Sequence, residues 1–304
     1  GGLEASGLNE AYMENFLDFL RRATAHGIYV IPILDKTPHN AHYNRINEEA
    51  GRDIDDPSIT GHNRQYLCAG PLAAKAAAAR DFVGHIRKAD PGLLSTVLGW
   101  ALANEVCLLF TQGPFKNDTG EVRTANGRTY DMGDRAQRQA CYDETILHWA
   151  NTLADAIKEI DPDALVTVGM WTSDAHGRPP INALIPDDRD PRIPPRPSVL
   201  GGPESRLDFI GVHIYPWDGT SKVRAETHER DNVVLPAIVG EFGVFKNKPV
   251  DTARLMMREM HDQACELGYI GFLHWVWDLS MVEGQTWSAV EEGLAAYLMA
   301  LACP

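Results

Sequence analysis

Six short apolar runs, each separated from the next by a helix-length segment, constrain the fold of this 304-residue chain more than any other feature. Each run has the length of one strand and is apolar almost throughout, as strands buried on both faces are. Single strands that alternate with helices predict a parallel α/β architecture rather than a β-sandwich. The runs are residues 28–34, 96–105, 164–169, 209–214, 237–240 and 269–276.

Two parallel architectures fit this alternation, a (β/α) barrel and a doubly wound sheet. A doubly wound sheet usually carries a glycine-rich phosphate loop after its first strand, and no Gly-x-Gly-x-x-Gly occurs in the sequence. The sequence therefore favours the barrel. We interpret residues 36–63 and 111–131 as loops, and residues 178–203, which hold eight of the 19 prolines, as an ordered excursion or lid.

Charge and composition exclude several classes of function. The chain has 28 basic and 42 acidic residues, a formal net charge of -14, which argues against nucleic acid and anionic membranes as partners. No apolar run approaches the roughly 18 residues of a membrane-spanning helix. The five cysteines fit no zinc-binding spacing, and we expect buried thiols with at most one or two disulfides. The sequence predicts no metal site and no cofactor.

Two of the apolar runs lead directly into a glutamate. The run 96–105 ends in Asn104 and Glu105, and Glu241 follows the run 237–240. A buried core does not explain polar groups at these positions, whereas a barrel displays its catalytic groups at the carboxyl ends of its strands. An Asn-Glu pair alone is weak evidence, because two more occur in the chain and neither ends a strand-like run. Two glutamates at two strand ends predict one acid/base centre.

Aromatic and histidine side chains occupy or follow the ends of other predicted strands. Cleavage of a glycosidic bond needs one protonated acid and one ionised carboxylate, and aromatic rings cover the C–H face of a sugar. Paired carboxylates with aromatic neighbours therefore predict a carbohydrate substrate, although each tryptophan also fits a packing role. The candidate substrate-binding residues are Asn104, Trp171, His213, Tyr215, Trp217, Trp275 and Trp277.

Four segments in chain order resemble the clan A glycoside hydrolases, closest to the cellulase family and its β-mannanase-like members. Residues 99–105 are similar to strand 4 of that family, residues 208–216 to strand 6, residues 239–243 to strand 7 and residues 271–275 to strand 8. The resemblance implies a (β/α)8 TIM barrel. It also implies a retaining β-glycoside hydrolase that acts by double displacement on a β-linked polysaccharide or oligosaccharide of the β-mannan or β-glucan type.

The resemblance also implies a role for each matching residue. Glu105 would be the acid/base and Glu241 the nucleophile. The others would bind substrate: Asn104 would hold the sugar 2-hydroxyl, His213 and Tyr215 would orient the nucleophile and the sugar, and Trp275 would form the floor of the −1 subsite. A carbohydrate-degrading enzyme of this kind is expected to be a monomer and to be secreted or extracellular.

The sequence departs from the family pattern at three places. Val106 stands where a proline commonly follows the Asn-Glu pair, and strand 3 ends in Leu34 and Asp35 where many members have a histidine. Residues 28–34 match strand 3, so strands 1 and 2, with the arginine that strand 2 supplies, have no counterpart. We expect residues 1–304 to form a single catalytic barrel domain that contains strands 3 to 8 and is incomplete at its N-terminal side.

Two other classes of function remain open. A non-catalytic carbohydrate-binding barrel would keep the tryptophans and lose a carboxylate, whereas both glutamates are present here. A metal-dependent barrel hydrolase would need clustered histidine and aspartate ligands, and the sequence contains no His-x-His pair. Both observations favour the glycoside hydrolase.

Overall fold

The computed structural model describes residues 7–171, 191–214, 233–243 and 249–275. The helices in these ranges are α1 (Glu10–Ala25), α2 (Ala41–Gly51), α3 (Arg64–Leu67), α4 (Ala69–Ala89), α5 (Arg135–Lys158), α6 (Pro197–Leu200) and α7 (Val250–Glu266), with 3-10 turns at Gly61–Asn63 and Pro91–Thr96. The strands are β1 (Trp100–Ala101), β2 (Leu108–Leu109), β3 (Glu121–Arg123), β4 (Thr129–Asp131), β5 (Val166–Thr167), β6 (Gly169–Trp171), β7 (Arg192–Ile193), β8 (Ile210–Ile214), β9 (Ala237–Phe242) and β10 (Phe272–His274).

Six extended segments lie side by side in chain order and run parallel. Val30 and Ile33 form parallel bridges with Val97 and Ala101, and β1 pairs with β5. Strand β6 follows β5 after one intervening residue and pairs with β8. In turn β8 pairs with β9, and β9 pairs with β10. This is the order in which consecutive strands follow one another around a (β/α) barrel. The predicted parallel α/β architecture is therefore confirmed.

Closure of the barrel is not seen among the described residues. The segment around Val30 and the strand β10 each pair there with one neighbouring strand. Exposed apolar side chains occur at both edges, with Tyr29 68% exposed at one and Ile270 70% exposed at the other. The eight-stranded barrel and the absence of strands 1 and 2 stay predictions.

The apolar core lies between the sheet and the helices that cover its outer face. Trp100 of β1 is buried and packs edge-on against Phe82 of α4, and Trp149 of α5 packs against Tyr66 of α3. Trp100 thus points away from the inner face of the sheet. The inner face carries several small residues, such as Ala101, Ala103 and Gly240, which leave room around the strand ends.

Two segments predicted as loops contain regular structure. Residues 36–63 include α2, which begins where the Asn40 side chain accepts a hydrogen bond from the Tyr43 N–H (3.1 Å). Residues 111–131 include the antiparallel hairpin of β3 and β4. The interpretation of these stretches as loops was wrong at α2 and at the β3–β4 hairpin. Side-chain caps and turns define these elements, and such features leave no apolar periodicity in the sequence.

The described part of the proline-rich excursion is ordered, as predicted. Its strand β7 pairs with β2 in antiparallel fashion, and the Tyr142 hydroxyl donates to the Ile193 carbonyl (2.8 Å). Arg196 forms an ion pair with Asp143, a carboxylate whose pKa is raised by burial although the guanidinium opposes that rise. These contacts hold the segment against α5.

None of the helices in the described ranges combines the length and the apolar character that a membrane crossing requires. Cys68 and Cys141 are buried thiols, and Cys265 is disulfide-bonded.

Candidate active site

Glu105, His213 and Glu241 come together at the carboxyl ends of three strands of the parallel array, with β6 between the strand of Glu105 and that of His213. His213 lies in β8 opposite Glu241 of β9, with Trp171 of β6 as its partner on the other side. Glu105 follows β1, and the next residue, Val106, forms a parallel bridge with Met170 of β6. Strand order therefore puts three chemically active side chains, far apart in sequence, at one level of the sheet.

The imidazole of His213 lies between the two carboxylates. Its Nδ1 is 3.1 Å from Glu105 Oε1 and 3.5 Å from Glu241 Oε2. A carboxylate oxygen of each glutamate and a ring nitrogen of His213 all lie within 4.8 Å of one another. The Glu105 side chain is 27% exposed and that of Glu241 only 11%, so Glu105 is the one more open to solvent. Two carboxylates this close can act on neighbouring atoms of one substrate.

The same three residues are the group in the described part of the chain that could hold a metal ion. Two carboxylates and an imidazole suit Zn²⁺ or another first-row divalent cation. This arrangement is compatible with two alternative kinds of chemistry. One is acid/base catalysis by paired carboxylates, and the other is hydrolysis assisted by a metal.

Asn104 is held beside this group through a residue for which the resemblance gave no role. Its backbone N–H donates to the Asp35 carboxylate (3.3 Å). Burial opposes ionisation of Asp35, but this hydrogen bond and the nearby Lys36 ammonium outweigh burial and lower the pKa of Asp35 below its ordinary value. A carboxylate at the end of the strand segment 28–34 was the sequence signal for Asp35. Its partner, the Asn104 backbone, could not be predicted from sequence.

Lys75 of α4 fixes the turn that carries Asp35. Its Nζ donates to the carbonyls of Leu34 (2.7 Å) and Asp35 (2.8 Å) and lies over the ring of Trp149. The residue is only 9% exposed, and burial lowers the pKa of Lys75 to about 8 although the Asp35 charge opposes that change. In the sequence Lys75 is a lone lysine within the alanine run 73–79.

Burial of Lys75 makes the free energy of unfolding depend on pH. The direction is opposite to that of a lysine in a salt bridge, whose stabilising effect is lost as pH rises. Between its native pKa of about 8 and its ordinary value of 10.5 the unfolded chain binds more protons than the native one. The free energy of unfolding therefore rises with pH across this window, by about 3 kcal/mol. We expect Lys75→Met to lose that rise in urea unfolding measured from pH 8 to pH 10.5. Lys88→Met, an exposed lysine of the same helix, is the control, and an unchanged pH dependence in Lys75→Met would contradict the assignment.

Two of the five predicted aromatic binding residues, Trp171 and Trp275, lie within the described ranges. Trp275 follows β10. Its backbone N–H donates to the Phe242 carbonyl (2.9 Å), and the residue is 39% exposed. Leu273 lines the inner face of the sheet, and alternation continued one residue past β10 would direct Trp275 to the same face. The backbone of Trp171 pairs with His213. Tyr215, Trp217 and Trp277 lie outside the described residues.

Two cavities border this end of the sheet. A cavity of about 70 Å³ lies on the inner face and is lined by Asn104, His213 and Glu241. A larger one, about 1100 Å³, lies between α1, α4 and residues 32–40, and contains neither glutamate. We place the candidate site at the smaller cavity, because the converging carboxylates and imidazole are there and size alone supplies no chemistry.

Comparisons with known proteins identify the fold. No protein-family model and no curated protein matches the chain. Among solved structures, it is similar to the hyperthermostable endo-1,4-β-D-mannanase of Thermotoga petrophila RKU-1, with 17% identity, a TM-score of 0.57, and coverage of 87% of this chain and 68% of the mannanase. The exo-β-1,4-mannosidase Op5Man5 of Opitutaceae bacterium strain TAV5 gives 16% identity, a TM-score of 0.56, and coverage of 97% and 50%.

A third structure, the endo-1,4-β-mannanase of Rhizomucor miehei, gives 14% identity, a TM-score of 0.51, and coverage of 86% of this chain and 67% of that one. The chain thus spans about half to two thirds of the length of these proteins. Its fold is similar to that of these three proteins. At these identities the likeness extends to the fold alone.

Proposed function

We propose that the chain is a retaining β-glycoside hydrolase that acts on a β-linked polysaccharide or oligosaccharide, with Glu105 as acid/base and Glu241 as nucleophile. The observation that carries the proposal is the approach of two glutamates, from two strand ends, to within 4.8 Å around His213. Three structures of the same fold act on β-1,4-mannan or β-mannosides by their names, which favours a β-mannan type of substrate over a β-glucan.

The separation of the carboxylates supports retention over inversion. A retaining enzyme needs its two carboxyl groups about 5–5.5 Å apart, because the nucleophile itself must reach the anomeric carbon. An inverting enzyme needs roughly 6.5–9.5 Å to admit a water molecule between the carboxylate and the sugar. Oxygens of Glu105 and Glu241 within 4.8 Å fit the first case.

The proposed reaction proceeds in two displacements. In the first, Glu241 attacks the anomeric carbon while Glu105 protonates the departing glycosidic oxygen. In the second, Glu105 takes a proton from water, which attacks the glycosyl–enzyme ester and releases Glu241. The greater exposure of Glu105 fits its role, since the acid/base must exchange a proton with solvent in each cycle. His213 faces both carboxylates and holds them beside each other.

Sugar binding in this proposal rests on the polar and aromatic side chains around the pair. Asn104 lines the cavity beside Glu241 and would hold the 2-hydroxyl, and Trp275 would stack on the ring in the −1 subsite. The assignments of Trp171, Tyr215, Trp217 and Trp277 as further substrate-binding residues belong to the same proposal and await mutation.

Trp275→Ala should weaken binding and turnover together and leave the fold intact. A ring that is 39% exposed contributes little to the core, whereas loss of a stacking platform removes an interaction with every bound sugar. We expect kcat/KM to fall by about tenfold or more, a loss of at least about 1.4 kcal/mol, with the thermal midpoint nearly unchanged. A variant that unfolds early but keeps normal activity per folded molecule would assign Trp275 to the core.

The proposed activity is tested by a screen of aryl β-mannosides and β-glucosides together with soluble β-mannan and β-glucan. Glu105→Gln and Glu241→Gln are isosteric controls that remove the charge and keep the shape. Turnover by the wild-type chain that both variants lose supports the proposal. Binding of an oligosaccharide without turnover would instead identify a non-catalytic carbohydrate-binding barrel.

A metal-dependent barrel hydrolase is the second candidate, favoured by the ligand-like grouping of Glu105, His213 and Glu241. Activity that a chelator abolishes and added Zn²⁺ restores would support it. Activity unaffected by prolonged chelation supports the carboxylate mechanism.

The proposal extends to the organisation and location of the protein. We propose a single catalytic barrel domain that functions as a monomer and is secreted. The disulfide at Cys265 supports an oxidising compartment, since such bonds persist outside the cytosol.

A further inference from the structure

We infer that Gly169 is a positioning residue for the paired glutamates, and that Gly240 supports it from the opposite side of His213. This inference deepens the proposed function and rests on it. Gly169 begins β6, between the segment that carries Glu105 and the strand that carries His213. Gly169 has no side chain that could take part in the reaction, so it acts by leaving space for neighbouring atoms.

The backbone of Gly169 brackets the Asn104–Glu105 pair. Its N–H donates to the Ala103 carbonyl (3.1 Å), and its own carbonyl accepts from the Val106 N–H (3.1 Å). In a regular parallel ladder these two partners would be two residues apart, whereas here they are three apart. The strand that carries Glu105 therefore contains one extra residue. Such a bulge redirects side chains and is common beside active sites.

The bulge brings the Asn104 backbone into the space that a side chain at position 169 would occupy. A Cβ built on Gly169 would lie 1.7 Å from the Asn104 carbonyl oxygen and 2.9 Å from His213 Nε2. A backbone oxygen cannot yield by that amount without moving the segment that bears Glu105. The need for glycine here comes from this close approach of another backbone.

Gly240 of β9 forms the other wall of the imidazole site. A Cβ there would lie 3.3 Å from both Cδ2 and Nε2 of His213, a tight contact that a small shift of the ring relieves. Glycines on the two strands that flank β8 thus leave the ring room to face both carboxylates. A Cβ at Gly84 of α4, which lies outside both cavities, would meet the Ile160 side chain at an ordinary 4.0 Å.

These contacts give a graded series of glycine-to-alanine substitutions. Gly169→Ala should displace Asn104 and Glu105 and lower kcat by on the order of 100-fold, the cost of misplacing a catalytic group by about 1 Å. KM should rise less than kcat falls, because Asn104 moves with Glu105 while Trp275, further from the bulge, keeps its position. Gly240→Ala should lower kcat severalfold, and Gly84→Ala, the control outside the site, should leave it within about twofold of wild type.

Crystal structures of the variants, combined with kinetics on an aryl β-glycoside, test the inference. The expected result is a longer Glu105–Glu241 separation in Gly169→Ala, with a shifted pH–rate profile, and no change in either property in Gly84→Ala. An unchanged separation with wild-type kcat in a folded Gly169→Ala would overturn it. If Gly169→Ala does not fold, Gly240→Ala decides the question, since it must move the His213 ring and reduce kcat more than Gly84→Ala does.

The structural measurement separates this inference from the proposed function. A wild-type chain without glycosidase activity would refute the function, while the carboxylate separation in the variants would still decide whether Gly169 sets the geometry of the pair.

Discussion

Glu241→Ala is expected to abolish hydrolysis of β-glycosides, with kcat/KM falling on the order of 10⁴-fold or more, the scale seen when a hydrolase loses its nucleophile. The reason is that the first displacement needs a group that forms a bond to the anomeric carbon, and alanine provides none. Neighbouring Glu105 cannot replace it, because Glu105 is committed to the leaving oxygen.

Rescue by azide gives this variant a diagnostic product. The truncated side chain leaves room for a small anion at the position of the lost carboxylate, so azide should attack an activated aryl β-glycoside directly. A single displacement inverts the anomeric carbon, and NMR should show the α-glycosyl azide. Glu49→Ala, which removes an exposed glutamate of α2, is the control and should keep full activity. A Glu241→Ala variant with substantial unassisted activity would show that another group is the nucleophile.

Glu105→Ala should produce a loss that depends on the leaving group. Polysaccharide hydrolysis needs a proton on a poor leaving oxygen, so its rate should fall by about 10²–10⁴-fold, the usual contribution of a general acid. An aryl glycoside with an acidic phenol leaves without protonation, and its first step should be largely preserved. The measurement is the ratio of kcat/KM for the two substrates, in the variant and in the wild type.

The azide product distinguishes the two glutamates. In Glu105→Ala the glycosyl–enzyme still forms on Glu241, and azide then attacks it in a second displacement. Two inversions restore the original configuration, so NMR should show the β-glycosyl azide. An α-azide from this variant, or an equal loss on both substrates, would contradict the assignment of Glu105 as acid/base.

The parts of the site that the sequence predicted are those with local signals. Glu105 and Glu241 each end an apolar run, and this pattern is visible in a few residues of sequence. The parallel order of the strands followed from their alternation with helices. The exact strand length did not, since the run 96–105 begins in a 3-10 turn and contributes only Trp100–Ala101 to a regular ladder.

The parts that the sequence did not predict depend on contacts between distant segments. The pairing of β2 with β7 joins residues more than 80 positions apart, and neither strand has a distinctive pattern. Lys75 looked like an ordinary helix residue until the fold set it below the carbonyls of Leu34 and Asp35. Gly169 gave no signal at all, because its constraint is the backbone of Asn104 on another strand.

The anomeric configuration of the first-formed product is the most direct test of the central claim, that Glu105 and Glu241 carry out a double displacement. Wild-type enzyme is mixed with a β-glycoside in an NMR tube, and the anomeric proton is followed before mutarotation sets in. Carboxylate oxygens within 4.8 Å of each other predict that the β-anomer appears first. Initial formation of the α-anomer would contradict the claim, because it would require a water molecule between the second carboxylate and the sugar.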